Sequence, residues 1–269
     1  MKAAPFDYQQ PESAAAAIAL LAAGEGYTKV CGGSQSLGPM LNLRLAQVDR
    51  LIDVSRIEAL RGFTLLADVL RIGAAVTHAR IEDGALPDVT LGLLPKVAGG
   101  IAYRAVRNRG TLGGSLAHAD PSADWVTTAC LLDAGILIAG PAGERSVSAS
   151  EFFVGSFTTA LADDEVLIAV DVPRFSAGAR WAYRKICRKP GEFADAIAAV
   201  WIDPARGIAR VVLGALDGMP HVLQGVQAVA GLADPAVVQR LLDDAGVDDA
   251  YARDMLATML CRALAEVAP

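Results

Sequence analysis

Arg107-Asn108-Arg109-Gly110-Thr111-Leu112-Gly113-Gly114-Ser115-Leu116-Ala117-His118-Ala119-Asp120-Pro121-Ser122-Ala123-Asp124-Trp125 sets a Gly-Gly pair between hydroxyls and follows it with two carboxylates four residues apart. Glycines let a backbone turn tightly and bring its N–H groups close to an anion. A carboxylate beyond such a loop is suited to accept hydrogen bonds from ribose hydroxyls. The glycines over Asn108–Gly114 predict loop, not helix. Ser122–Asp133, behind Pro121, predicts a helix that Asp120 or Ser122 is placed to cap, which is the plainer use of Asp120. Asp124 falls inside that helix, where capping accounts for it less well.

A second Gly-Gly pair stands upstream, in Lys29-Val30-Cys31-Gly32-Gly33-Ser34-Gln35-Ser36-Leu37. A short strand, Thr28–Cys31, runs into paired glycines and three small polar residues, a concave donor set of the kind a pyrophosphate needs. By itself this loop reads more readily as an ordinary turn between strand and helix. Neither loop has the G-x-G-x-x-G spacing, so a Rossmann nicotinamide site is not supported. G-x-S-x-G and H-E-x-x-H are also absent. A third block, Tyr183-Arg184-Lys185-Ile186-Cys187-Arg188-Lys189-Pro190-Gly191-Glu192-Phe193-Ala194-Asp195-Ala196, brings basic residues beside an aromatic; its composition alone fits a solvated loop.

Around these blocks the first segment reads as alternating strands and helices. Ala14–Ala23 is a helix capped by Ser13 and stopped by Gly24; a helix follows over Leu37–Leu45, then a strand over Arg50–Val54. Between Ala59 and Val172 the pattern turns to short strands, at Leu65–Leu70, Arg71–Ala75, Gly135–Ala139, Glu144–Val147 and Glu165–Val172, with a helix over Leu91–Ala105 broken at Gly99-Gly100. Beyond a modest composition shift at Pro173–Gly178, strands are expected at Arg180–Ile186, Ala196–Ile202 and Ile208–Leu216. Helices are expected at Val237–Ala245 and Tyr251–Val267.

The 269 residues are 53% apolar and carry a net charge of −6. That balance disfavours nucleic acid as a partner, because neutralising phosphates takes a basic surface. The longest apolar helical stretch is half the roughly 20 residues that span a bilayer, so no transmembrane segment is expected. The N-terminus shows no signal-peptide pattern. Cys31, Cys130, Cys187 and Cys261 stand alone, without metal-ligand spacing, and a reducing cytoplasm fits them. His78, His118 and His221 are scattered and read as structural or surface residues, His118 having the best chance of touching a cofactor.

Taken together the blocks resemble the FAD-binding medium subunit of the molybdenum hydroxylases, the carbon monoxide dehydrogenase medium-chain and xanthine dehydrogenase flavin-domain family. The matching text is Gly32-Gly33-Ser34-Gln35-Ser36-Leu37 with Asn42-Leu43-Arg44-Leu45, the whole of Arg107–Trp125, Tyr183 and Lys185, and Gly191-Glu192-Phe193-Ala194. The resemblance implies an FAD-binding domain at 1–174, made of two α/β subdomains (about 1–55 and 56–174). A C-terminal α+β domain at 175–269, an antiparallel sheet with helices, would follow. It implies that 29–37 (Lys29, Val30, Cys31, Gly32, Gly33, Ser34, Gln35, Ser36 and Leu37) and 111–115 (Thr111, Gly114 and Ser115 among them) bind the pyrophosphate. Asp124 would lie at the adenosine part, Ile101 and Tyr183 near the isoalloxazine. Lys185 would reach the flavin from the third segment, and Ala117 and Ile168 would be apolar contacts. FAD would be non-covalent, with no catalytic residue or metal on this chain. A large subunit with a molybdenum-pterin and a small subunit with two 2Fe–2S clusters would complete a heterotrimer or its dimer, passing electrons through FAD to an external acceptor. A stand-alone flavin reductase or oxidase of the same fold, or a non-catalytic scaffold, are the alternatives.

Overall fold

A computed structural model describes residues 2–24 and 26–268. The first unit is a small parallel sheet, β1 (Asp7–Gln9), β2 (Thr28–Cys31) and β3 (Arg50–Asp53), in the order β1-β3-β2, with α1 (Ala14–Ala22) and α2 (Leu37–Asn42) as its connections. Ser13 Oγ accepts from Ala16 N and starts α1 where expected. All three strands run the same way, so the loop after β2, Gly32 onward, leaves the same sheet end as Asp53.

The second unit holds a five-stranded antiparallel sheet. Its strands are β4 (Phe63–Leu65), β5 (Val69–Gly73), β6 (Gly135–Gly140), β7 (Gly143–Ser148) and β10 (Val166–Pro173), in the order β4-β5-β10-β6-β7. Between β5 and β6 lie α3 (His78–Glu82), α4 (Leu93–Gly99), α5 (Arg104–Arg107), α6 (Leu112–His118) and α7 (Asp124–Leu132); α8 (Ala149–Phe152), β8 (Phe153–Gly155) and β9 (Thr158–Thr159) follow β7. The two short strands expected at Leu65–Leu70 and Arg71–Ala75 are a hairpin, Phe63–Leu65 with Val69–Gly73, that turns at 66–68, inside the first expected strand. The break expected at Gly99-Gly100 is real and divides the long helix into α4 and α5. The loop expected through Gly114 ends sooner, because α6 begins at Leu112 with both glycines in its first turn. Thr111 Oγ1 accepts from Gly114 N there, so a good N-cap outweighs two poor helix formers.

The third unit is β11 (Arg180–Ile186), β12 (Ala196–Asp203), β13 (Ile208–Gly214) and β14 (His221–Gln224), an antiparallel sheet in chain order, followed by α9 (Val226–Gly231), α10 (Pro235–Asp244) and α11 (Ala250–Val267). Alternation along β12 explains why this sheet is covered on both faces. Ala199 and Trp201 pack into the core around α7, whose nine residues are all buried. Ala196, Ala198 and Val200 pack against Leu256, Leu260 and Ala263 of α11. On β11 the same period sends Ala182 to the α11 side and Tyr183 to the α7 side. Among the described residues no helix is long and apolar enough to cross a membrane.

Candidate functional site

The first glycine pair meets the second block just ahead of that block's own pair, at Arg109–Thr111. A Cβ built on Gly33 would sit 1.9 Å from the Arg109 carbonyl oxygen and 2.6 Å from Gly110 Cα. On Gly32 it would sit 2.6 Å from Thr111 Oγ1, and on Gly113 2.5 Å from Ala74 Cβ. Only hydrogen at Gly32 and Gly33 lets the loops touch, and only hydrogen at Gly113 lets α6 start against Ala74. The first loop is braced from within and the second from α3. Gln35 Nε2 donates to Gly33 O at 2.9 Å, and His78 N donates to Gly110 O at 2.9 Å. Ser34 takes a left-handed φ of 58°. Gly114 and Ala117 are exposed and Ser115 is half-buried, so α6 keeps this face open to a ligand.

The other residues of 29–37 differ in how they sit. Lys29 is exposed and lies over the Tyr27 ring, Val30 packs on the core of the first unit, and Ser36 is half-buried. Leu37 packs against the small cluster containing Cys31. The Cys31 thiol is buried, and burial with the nearby Asp53 charge pushes its pKa up to about 12. A thiol so hard to ionise is a poor nucleophile.

Behind the second loop lies His78, which is buried. Trp125 Nε1 donates to its Nδ1 at 3.0 Å, and a Cβ on Gly110 would meet its ring at 2.8 Å. Burial, then the Arg107 charge, lowers its pKa to about 4, which keeps the ring neutral. It is structural, as its isolation in the sequence suggested. His118 is half-buried, its ring 5.3 Å from Phe157.

A second cluster forms where α7, β11 and the turn after α4 meet. Asp124 is the first residue of α7, and the cap before it, Ala123, offers no side-chain bond. Asp120 closes a turn onto Ser122 N instead of capping α7. The Asp124 carboxylate is buried; it accepts from Tyr183 OH at 2.7 Å and from Lys185 Nζ at 2.9 Å. Burial first, then the Asp124 charge, holds the Tyr183 phenol well above its ordinary pKa, so it stays a donor. Lys185 Nζ also donates to Gly100 O at 2.9 Å. The resemblance puts Asp124 at the adenosine part, Tyr183 near the isoalloxazine and Lys185 on the flavin; the structure makes the three one hydrogen-bonded group, through contacts that span about 60 residues of sequence and leave no local signal.

Sequence reasoning missed Arg107. Its Nε and Nη2 donate to Glu82 at 2.7 and 2.9 Å, and its Nη1 donates to Ile101 O and Ala102 O, both at 2.9 Å. Ile101 is half-buried beside this turn. Ile168 lies elsewhere, at an irregularity of β10 where the register to β6 shifts between Leu167 and Ala169. Its side chain packs on the core of the first unit, and its carbonyl accepts from Ala74 N. Among the described residues no group of His, Cys, Asp and Glu is placed to hold a metal ion.

Residues 4–175 match the family described as the FAD binding domain in molybdopterin dehydrogenase. The chain is 39% identical over 195 residues to the carbon monoxide dehydrogenase medium chain of Hydrogenophaga pseudoflava, covering 72% of this chain and 68% of that one. It is 34% identical over 226 residues to the nicotine 6-hydroxylase medium subunit of Paenarthrobacter nicotinovorans, covering 84% and 79%. Among solved structures, a carbon monoxide dehydrogenase from H. pseudoflava lacking the Mo-pyranopterin moiety superposes with a TM-score of 0.88 at 34% identity, over 99% of this chain and 98% of that one. Quinoline 2-oxidoreductase from Pseudomonas putida 86 gives 0.87 at 32%, over 99% and 98%.

Proposed function

The chain belongs to the FAD-binding medium subunits of the molybdenum hydroxylases, an oxidoreductase family, and from that premise we propose that it is the electron relay of such a complex. It would stand between 2Fe–2S clusters on a small partner subunit and an external acceptor, with the molybdenum-pterin and the substrate on a large one. The observation that carries the site is the back-to-back contact of Gly33 with Arg109 and Gly110, a backbone cradle that any Cβ would fill.

The residues present fit FAD in two parts. Gly32–Ser36 would hold the pyrophosphate by backbone N–H groups and hydroxyls, and Thr111 and Ser115 would add their hydroxyls from the second loop, whose own N–H groups from Leu112 to Ser115 are bonded within the protein. Ile101, Tyr183 and Lys185 would hold the ring end, with Asp124 fixing both Tyr183 and Lys185 from beneath. This moves Asp124 from the adenosine end to the ring end. FAD, when bound, supplies reversible one- and two-electron transfer. The protein's own part is to hold, orient and shield. The Tyr183 hydroxyl and the Lys185 ammonium are both engaged by Asp124, so neither is free to swing. Binding is non-covalent, in keeping with the inert Cys31. The domain division at 1–174 and 175–269 follows the change of sheet after β10, with Tyr183 and Lys185 brought to the site by the second domain.

The test is to purify the full chain and denature it. Flavin released to the supernatant in equimolar amount, identified as FAD, supports the reading, as does co-purification of molybdenum- and iron-bearing partners. A chain that never takes up FAD refutes the site. Yellow colour left on the polypeptide refutes non-covalent binding.

A further inference from the structure

We propose that Arg107, anchored by Glu82, is a positioning residue that fixes the Gly100–Ala102 turn against the flavin ring; this rests on the ring end lying at Ile101, Tyr183 and Lys185. Three consecutive carbonyls, those of Gly100, Ile101 and Ala102, each accept from a cation. Lys185 takes the first, and Arg107 takes the second and third. The two cations come from different units of the fold, and each has its own carboxylate, Asp124 for Lys185 and Glu82 for Arg107.

An ordinary helix C-cap does not account for this. The orphan carbonyls of a helix belong to its last turn. α4 ends at Gly99 with Gly100 as its cap residue, so Arg107 reaches past the cap to the two residues beyond it. That segment is not relaxed on its own. Ala102 holds φ at 41°, a left-handed value that costs a residue with a Cβ about 1–2 kcal/mol. Arg107 compensates from a buried position, its side chain only 12% exposed. Its guanidinium is used on both sides, Nε and Nη2 as a fork on the Glu82 carboxylate and the Nη1 amino group on the two carbonyls. A lysine has no planar fork with which to copy this.

The neighbouring Arg104 provides an internal contrast. It also pairs with Glu82, and with Asp83, but it touches no carbonyl of the turn. The two arginines therefore share an anchor, and of the two Arg107 alone reaches the turn.

The experiment is calorimetric titration of the flavin-free, full-length chain with two ligands. ADP carries the adenosine and pyrophosphate and lacks the ring; FAD carries all three. For Arg107→Lys the expected result is an FAD affinity lower by about tenfold, as for one lost hydrogen bond, with ADP affinity held within about twofold. Glu82→Gln should show the same FAD-selective loss in smaller measure, and it decides the matter if Arg107→Lys does not fold. Arg104→Gln should leave both ligands at their wild-type affinities. Equal losses for FAD and ADP would show a general structural role and overturn the proposal, as would no loss of either. Wild-type chain that bound ADP and FAD equally would refute the ring-end assignment itself, a failure distinct from that of Arg107.

Discussion

Gly33→Ala isolates the contact on which the cofactor site depends. Gly33 is not in the left-handed region, so alanine brings no backbone strain of its own and the effect is purely steric. The new methyl would fall 1.9 Å from the Arg109 carbonyl oxygen and 2.4 Å from its carbon. These are backbone atoms, and no rotamer moves them. Restoring even a tight contact of about 3.0 Å requires the loops to part by about 1.1 Å. Gly110, held to His78 N by a 2.9 Å bond, would move with them. Overpacking of this kind costs about 1–3 kcal/mol in stability. In binding, a shift near 1 Å takes at least one charge-assisted donor out of reach, about 2 kcal/mol or roughly 30-fold in Kd for FAD. Two other glycines calibrate the result. A Cβ on Gly114 meets only the Thr111 hydroxyl, at 2.7 Å, and a Cβ on Gly62 meets nothing within 4 Å. Urea unfolding and FAD titration should therefore rank Gly33→Ala below Gly114→Ala and Gly114→Ala below Gly62→Ala. Gly33→Ala binding FAD as well as Gly62→Ala does would refute the back-to-back arrangement.

Asp124→Asn strips the half-buried Lys185 of its counter-charge and should cost about 3 kcal/mol in urea unfolding, the low end for a buried pair. Lys185→Met should cost less, because Asp124 keeps the Tyr183 hydroxyl and the positive end of α7; the reverse order would contradict the cluster as described. Thr111→Val removes the cap on Gly114 N, and thermal unfolding should record a loss of about 1 kcal/mol. His78 gives a pH signature. Its folded pKa is lowered from 6.5 to about 4, so between those values the unfolded chain binds a proton that the native one refuses. Stability should fall as pH drops through that window, by about 3 kcal/mol in all at ~1.36 kcal/mol per pKa unit. His78→Asn should flatten that slope, and a wild-type slope surviving in the variant would exclude His78 as its source.

Local signals explain what the sequence made legible. β11, at Arg180–Ile186, is bounded by Gly178 before it and Pro190-Gly191 after it. The helix after Pro121 and the hairpin across Gly140–Gly143 carried equally local marks. The first turn of α6 was read as loop because two glycines weigh against a helix, while the decisive Thr111 cap shows only in coordinates. α3 has five residues, too few to display a period. At the site, the residue types were visible and the pairings were not. Gly33 meets Arg109 across 76 positions, and Asp124 meets Lys185 across 61. Arg107 escaped notice for a different reason. Two of its acceptors are peptide carbonyls, which every residue has and no sequence distinguishes.

The block from Arg107 to Trp125 is informative because it serves several parts of the site at once. Arg107, at its start, holds the Gly100–Ala102 turn; Thr111–Ser115, in its middle, form one wall of the glycine cradle; Asp124, near its end, holds Tyr183 and Lys185. Trp125 donates to His78, whose backbone N–H holds Gly110. A change in one part of this block is therefore felt in the others, since one short run of backbone fixes their spacing. The charges show the same economy. Lys185 and Arg107 are each spent on a carboxylate and on turn carbonyls. In the proposed site the pyrophosphate would be met by the backbone donors of Gly32–Ser36, which stay aligned without side-chain ordering, and the closeness of Gly33 to Arg109 and Gly110 holds that loop in place.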